Sequence, residues 1–268
     1  MTGLKLKSNP SSLKKNLKVF VGIPNLAEKD QYVSYIKSVL RHIEAQETDV
    51  EILKPYITPP HSGKFQHGYR SRLYAIVGRM NNIIEKFMMS GASHVFINDG
   101  DVEIPPNTID TLIKHNVDVA SGVYPFHNFV TENLTDPTLP RYYRKPHDAY
   151  AMIFGRMSST NPCGNLKPRD WDYMAGQVFG EESSWSGGTG CLLVKRRVFK
   201  QYHPSMPPLR FTKHGKNREC GGDIYFWKRA QDAGFTARVD ANIVCGHLPQ
   251  FPLSRIDEWL FSVKKIDK

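Results

Sequence analysis

The sequence predicts an α/β domain, a mostly parallel sheet flanked by helices, and three observations lead there. Short apolar runs alternate with stretches of helical periodicity from residue 18 to residue 123, the pattern of a parallel sheet wrapped by helices. With 268 residues, 40% hydrophobic and 23% charged, the chain is long enough to bury a real core and ordinary enough to be globular. Finally, an acidic pair closes one apolar run, and in such sheets ligands sit beyond the carboxyl ends of strands.

The elements follow in order. Lys18 to Ile23 (KVFVGI) is a buried strand stopped by Pro24-Asn25. Asp30 can cap a helix in which Tyr32, Ile36, Leu40 and Ile43 recur at helical spacing. Val50 to Leu53 makes a second strand, and residues 69 to 89 a long amphipathic helix closed by Gly91. His94 to Asn98 (HVFIN) is a third strand, Thr108 to His115 a helix, and Val117 to Val123 a fourth strand. Residues 125 to 185 and 203 to 220 show no sustained period, which predicts two irregular, mobile insertions in a single domain. Between and after them come a strand at Gly190 to Val194, a short helix at Arg196 to Gln201 and a helix from Asp223 to Ala233. Phe235 to Val239 and Ile243 to Cys245 read as two short strands.

Lys and Arg total 36 against 26 Asp and Glu, a formal charge of +10, which favours anionic partners. Part of the surplus lies in residues 1 to 17, a basic tail that is either solvated or a weak tether to an anionic membrane surface. The tail has no apolar core of a secretory signal, and no apolar run approaches the ~20 residues that cross a bilayer. The expectation is a cytoplasmic protein. Cys163, Cys191, Cys220 and Cys245 form no CxxC pair, so they are expected to be reduced and buried rather than zinc-bound.

Asp99-Gly100-Asp101 carries the sharpest chemistry. In extended chain, side chains at i and i+2 point the same way, so two carboxylates can converge on one hard cation. The alternative is an ordinary turn with solvated acids. Arg141, Tyr142, Tyr143, Arg144 and Lys145 interleave basic and aromatic residues, either a solvated loop or a stacking surface. Trp171, Tyr173 and Trp185 are either a platform for an acceptor or core.

From Arg79 onward, RMNNIIEKFMMSGASHVFINDGDVEIPPNTIDTLIKHNVDVASGVYP resembles the core of GT-A-fold nucleotide-sugar glycosyltransferases, near the broad family-2-like group. The resemblance implies a Rossmann-like GT-A fold with residues 18–124 as the nucleotide-binding half and 125–268 as the acceptor-binding half. It implies that Asp99 and Asp101 match the DxD carboxylates, which bind a divalent ion, Mn²⁺ or Mg²⁺, on the diphosphate of a UDP- or GDP-type donor. Arg79 matches a helix arginine near the nucleotide, and Pro24 with Asn25 the turn that receives the base. SGGTGCLLVKRRVF (186–199) resembles the glycine-rich strand that lines the sugar pocket, which puts Gly187 and Gly188 beside the donor; the alternative is a plain turn before a strand. CGGDIYFWKRAQDAGFTARVDANIVCGH (220–247) is similar to the family's acidic helix and its metal-binding histidine. Asp223 falls on the helix-start aspartate and His247 on the third metal ligand, whereas Gly222 stands where the family carries an acid.

The implied activity is transfer of a sugar to a glycan, protein or lipid acceptor, leaning to inversion with Asp223 as general base. As a helix-start residue Asp223 is equally an N-cap, and His247 could be satisfied by backbone groups instead. The rivals are a sugar-nucleotide pyrophosphorylase-like nucleotidyltransferase, a nucleic-acid-binding protein and a catalytically inactive carbohydrate-binding relative. A pyrophosphorylase needs a glycine-rich basic loop after the first strand, where Pro24-Asn25-Leu26 stands. No nucleic-acid-binding signature accompanies the charge, so no nucleic-acid partner is expected.

Overall fold

The computed structural model describes residues 17–25, 30–59, 68–124, 154–156, 178–179, 185–200, 212–214, 218–220, 222–248 and 252–255. The 1–16 stretch of the basic tail, Arg141 to Lys145, Cys163, Trp171 and Tyr173 lie outside them, as does most of each expected insertion.

The strands are β1 (Lys18–Ile23), β2 (Glu51–Ile52), β3 (Tyr56–Ile57), β4 (His94–Asn98), β5 (Val102–Glu103), β6 (Val119–Val123) and β7 (Phe154–Arg156). They continue with β8 (Val178–Phe179), β9 (Trp185–Gly187), β10 (Cys191–Lys195), β11 (Thr212–His214), β12 (Arg218–Cys220), β13 (Ala237–Val244) and β14 (Gly246–His247). The α-helices are α1 (Asp30–Glu44), α2 (Gly68–Met89), α3 (Thr108–Lys114), α4 (Arg196–Lys200) and α5 (Gly222–Asp232).

The central sheet runs β2-β1-β4-β10-β6-β13-β8, with β3 also paired to β1. β1 is parallel to β2, β3 and β4, and β6 is parallel to β13. β10 lies antiparallel between β4 and β6, and β8 antiparallel on the far side of β13. This is a mixed α/β fold with a mostly parallel central sheet flanked by helices, a Rossmann-like arrangement.

Alternation along each strand sends side chains to two cores. On one face Phe20, Val95, Ile97, Val119, Val123, Leu192 and Val194 meet Met80, Ile83 and Phe87 of α2, Val198 of α4, and Phe226 and Trp227 of α5. On the other, Val19, Val21, Phe96 and Leu193 meet Val39 and Ile43 of α1 and Ile109 and Leu112 of α3. α2 ends as its sequence predicts, with Gly91 at φ 75, a left-handed conformation that glycine adopts without strain.

Three expectations need correction. Residues 235–245 form one long strand, Ala237–Val244, not two. Its register shifts between Val239 and Val244, so Ala237, Val239 and Ala241 face one core and Ile243 the other. Asp240 makes the irregularity by accepting from both the backbone and the side-chain N–H of Asn242, at 2.9 and 2.8 Å. The segment 125–185, expected to lack regular structure, contains β7 and β8 and enters β9, with β7 and β9 paired antiparallel. The segment 203–220 likewise contains the β11–β12 hairpin. Strands of two or three residues are too short to show a period.

Candidate active site

Because β10 runs against its neighbours, its amino end meets the carboxyl ends of β4 and β6. Cys191 pairs with Asn98 and Leu192 with Ser121, so Gly190 enters the sheet between Asp99 and Tyr124. The Asp99 N–H donates to the Gly190 carbonyl at 3.1 Å. The Gly190 N–H donates to the Tyr124 hydroxyl at 3.0 Å. A Cβ on Gly190 would stand 2.8 Å from the Tyr124 ring, 2.9 Å from its hydroxyl oxygen and 3.0 Å from Asp99 Oδ2. Only glycine allows this approach.

The acidic pair is not extended chain. The Val102 N–H donates to the Asp99 carbonyl at 3.0 Å, which folds 99–102 into a turn. Buried Asn98 ties that turn down by donating to the carbonyls of Asp99 and Val102 at 2.9 and 2.8 Å. Strand alternation therefore does not aim the two carboxylates together. The group brought to Asp101 is His247, carried by β14, which pairs antiparallel with β5 so that His247 lies opposite Val102. Leu248 N–H donates to the Asp101 carbonyl at 2.8 Å, and His247 Nε2 stands 3.7 Å from Asp101 Oδ2. Glu103 anchors the same return, accepting from Ser38 at 2.5 Å and from the Leu253 N–H at 2.8 Å.

Tyr124 sits at the centre of these groups. It is 3% exposed, and its ring meets that of His247 edge-on at 5.4 Å. Burial drives its pKa well up, and the charge of Asp99, then those of Asp223 and Asp101, add to the rise against the Gly190 N–H, which lowers it. Asp223 stands in the first turn of α5.

Arg79 is 8% exposed on α2, with one guanidinium N–H donated to the Ala75 carbonyl and its Nε without a hydrogen-bond partner. Burial lowers its pKa and Tyr32 opposes that. Tyr32 in turn lines Gly100, whose Cβ would meet its ring at 3.0 Å. Pro24 and Asn25 follow β1 at the same end of the sheet, Asn25 N–H donating to Thr58 Oγ1 at 2.8 Å. Gly187 ends β9. A Cβ there would meet Ser121 Oγ at 2.0 Å and Trp227 at 3.2 Å, so packing under α5 explains the glycine. Gly188 follows it, buried.

Among the described residues no group of three or more His, Cys, Asp or Glu side chains is placed to hold a metal ion by itself. The donor set is nevertheless of the right kind for a divalent ion that completes its coordination with ligand oxygens: carboxylates at Asp99 and Asp101 and an imidazole 3.7 Å from the latter. Cys191 and Cys245 are buried and unpaired by disulfide, as expected for reduced thiols. No described helix is long and apolar enough to cross a membrane. Tyr124 and Asn98 escaped the sequence reading. A polar residue closing each apolar strand is the signal that marks them.

No family model and no curated protein matches this chain. Among solved structures similar to it are A197 from STIV, 11% identical with a TM-score of 0.45 over 87% of each chain. CMP:2-keto-3-deoxy-manno-octonic acid synthetase complexed with CTP is 12% identical with a TM-score of 0.39, over 92% of this chain and 99% of that one. The inositol-1-phosphate CTP transferase from T. maritima is 11% identical with a TM-score of 0.40, over 94% of this chain and 98% of that one. At these values the likeness decides nothing about chemistry, which rests on the side chains.

Proposed function

We propose that this chain is a metal-dependent glycosyltransferase that moves a sugar from a nucleoside-diphosphate sugar to a glycan, protein or lipid acceptor. One observation carries the reading: His247 Nε2 stands 3.7 Å from Asp101 Oδ2, and Asp99 Oδ2 borders the space beside Gly190, at the carboxyl ends of the strands. Asp99, Asp101 and His247 would hold Mn²⁺ or Mg²⁺, and that ion supplies Lewis-acid stabilisation of the departing diphosphate. Arg79, a buried cation on α2 whose Nε has no hydrogen-bond partner, fits the nucleotide end of the donor. Pro24 and Asn25, beyond β1, would face the base. Asp223, in the first turn of α5, would take the proton from the acceptor hydroxyl. Gly188 remains the candidate wall for the sugar, Gly187 being the weaker one because Ser121 and Trp227 occupy its space.

The test is a hydrolysis and transfer screen over UDP-, GDP- and dTDP-sugars with Mn²⁺ and Mg²⁺, alongside nucleotide titration by calorimetry. Metal-stimulated release of a nucleoside diphosphate supports the reading. In Asp101→Ala, metal should no longer strengthen nucleotide binding. An unchanged metal enhancement in that variant would remove the ion from this site. Pyrophosphate release from a nucleoside triphosphate and a sugar phosphate would instead assign a nucleotidyltransferase.

A further inference from the structure

Glu103 is a buried acid that the proposed chemistry does not use. It is 6% exposed on β5, just past the acidic turn, and its backbone lies opposite Gly246 of β14. β5 and β14 pair over two residues each, a ladder too short to fix a chain by itself. The Glu103 carboxyl group adds what the ladder lacks. One oxygen accepts the Ser38 hydroxyl of α1 at 2.5 Å, and His42 Nε2, one helical turn along, stands 3.8 Å from the same oxygen. The other oxygen accepts the Leu253 N–H at 2.8 Å. Gly246 and Leu253 are thus both tied to Glu103, the first by its backbone and the second by its side chain, and His247 lies in the chain between them. Within the same return the Leu248 N–H reaches the Asp101 carbonyl at 2.8 Å.

We propose that Glu103 is a positioning residue: by clamping the chain beyond β14 to α1, its side chain sets the place of His247 beside Asp101. The proposal rests on the metal-dependent reading above, in which His247 is a ligand. A residue that fixes the orientation of a metal ligand governs affinity without touching the ion. The alternative is a core acid satisfied by two hydrogen bonds, which would matter for stability and nothing else.

The experiment follows two signals: Mn²⁺ binding by electron paramagnetic resonance with UDP or GDP present, and exchange of the Leu248 amide hydrogen without metal. It compares the intact protein, Glu103→Ala, Glu103→Gln and Ser38→Ala, with Glu103→Ala repeated on top of His247→Ala. Glutamine keeps an acceptor for the Leu253 N–H and a partner for Ser38, so it removes the acid and leaves the clamp. In Glu103→Ala, Mn²⁺ affinity should fall about 10- to 100-fold, the usual share of a residue that orients a metal ligand. Its Leu248 amide should exchange about tenfold faster, a local opening eased by a lost hydrogen bond. Glu103→Gln should match the intact protein in both signals. On top of His247→Ala the loss of Glu103 should cost nothing further, because the clamp acts through His247. Ser38→Ala, which spares the core, should lower Mn²⁺ affinity about threefold, the share of one neutral hydrogen bond, and it keeps the test open should Glu103→Ala not fold. Full Mn²⁺ affinity in Glu103→Ala or in Ser38→Ala overturns the proposal. So does a loss in Glu103→Gln equal to that in Glu103→Ala, or an undiminished loss on top of His247→Ala. If the unsubstituted protein binds no Mn²⁺ with either nucleotide, the metal-dependent reading itself falls, and the Leu248 exchange still decides the clamp: an unchanged rate in Glu103→Ala overturns it.

Discussion

Asp223 stands where two roles overlap, since the first turn of a helix welcomes a carboxylate for purely structural reasons. Its charge is also among those that raise the Tyr124 pKa, after that of Asp99. Asp223→Asn separates the roles, because asparagine caps about as well as aspartate but cannot accept a proton. With Asp99, Asp101 and His247 untouched, nucleotide and metal affinity should stay nearly constant. Transfer should fall about 10²- to 10⁴-fold, the usual share of general-base catalysis. Turnover near that of the unsubstituted protein would reduce Asp223 to a cap, and lost nucleotide affinity would move it to the donor side. Arg197 has a structural partner. Arg197 pairs through two nitrogens with fully buried Asp118, which also accepts from the Thr236 N–H and hydroxyl at 3.0 Å.

Arg196 shows the same at the scale of elements. It opens α4 and donates to the carbonyls of Phe87, Met88 and Ala92 at 2.7, 2.9 and 2.5 Å, closing the free end of α2. Its guanidinium also lies 4.6 Å from the centre of the Phe87 ring. A lysine reaches one or two of these carbonyls but cannot fork among three. Arg196→Lys should therefore cost about 1–3 kcal/mol and a few degrees of melting temperature, with donor affinity unchanged. A variant that melts normally but loses nucleotide affinity would place Arg196 in the site instead. The elements that sequence could read are those whose side chains alternate into two cores: KVFVGI, HVFIN and CLLVK all show it. Unreadable were the two-residue pairs such as β5–β14, which have no period, and the direction of β10. An apolar run looks the same either way round. The site was legible to the same extent. Asp99, Asp101 and His247 stand out as residue types at strand ends, whereas Tyr124 gains its place only from the antiparallel register that sets Gly190 beside it.

For the whole molecule, the buried titratable groups divide the acid response into two windows. His94 opens β4 at 7% exposure, its Nδ1 2.9 Å from Ser93 Oγ and its backbone paired with that of Lys195. Burial first, and the Lys195 charge second, hold its pKa down at about 4. The unfolded chain takes up that proton near 6.5, so the folded state loses ground as pH falls from there toward 4, by on the order of 3 kcal/mol. Above 6.5 the contribution is fully present. Asp118 and Asp240 act lower. Burial raises both, but Arg197 and Thr236 at Asp118, and His115 and Asn242 at Asp240, outweigh it and leave each pKa below the usual carboxylate value. Their contribution is present above the ordinary carboxylate range and fades as pH drops through their depressed values. Urea midpoints measured every half unit from pH 7.5 to 3 should therefore decline in two steps. His94→Gln keeps a polar contact for Ser93 yet cannot be protonated, so it should flatten the upper step and leave the lower one. Parallel declines of the two proteins between pH 6.5 and 4 would show that His94 is not the group that sets the upper window.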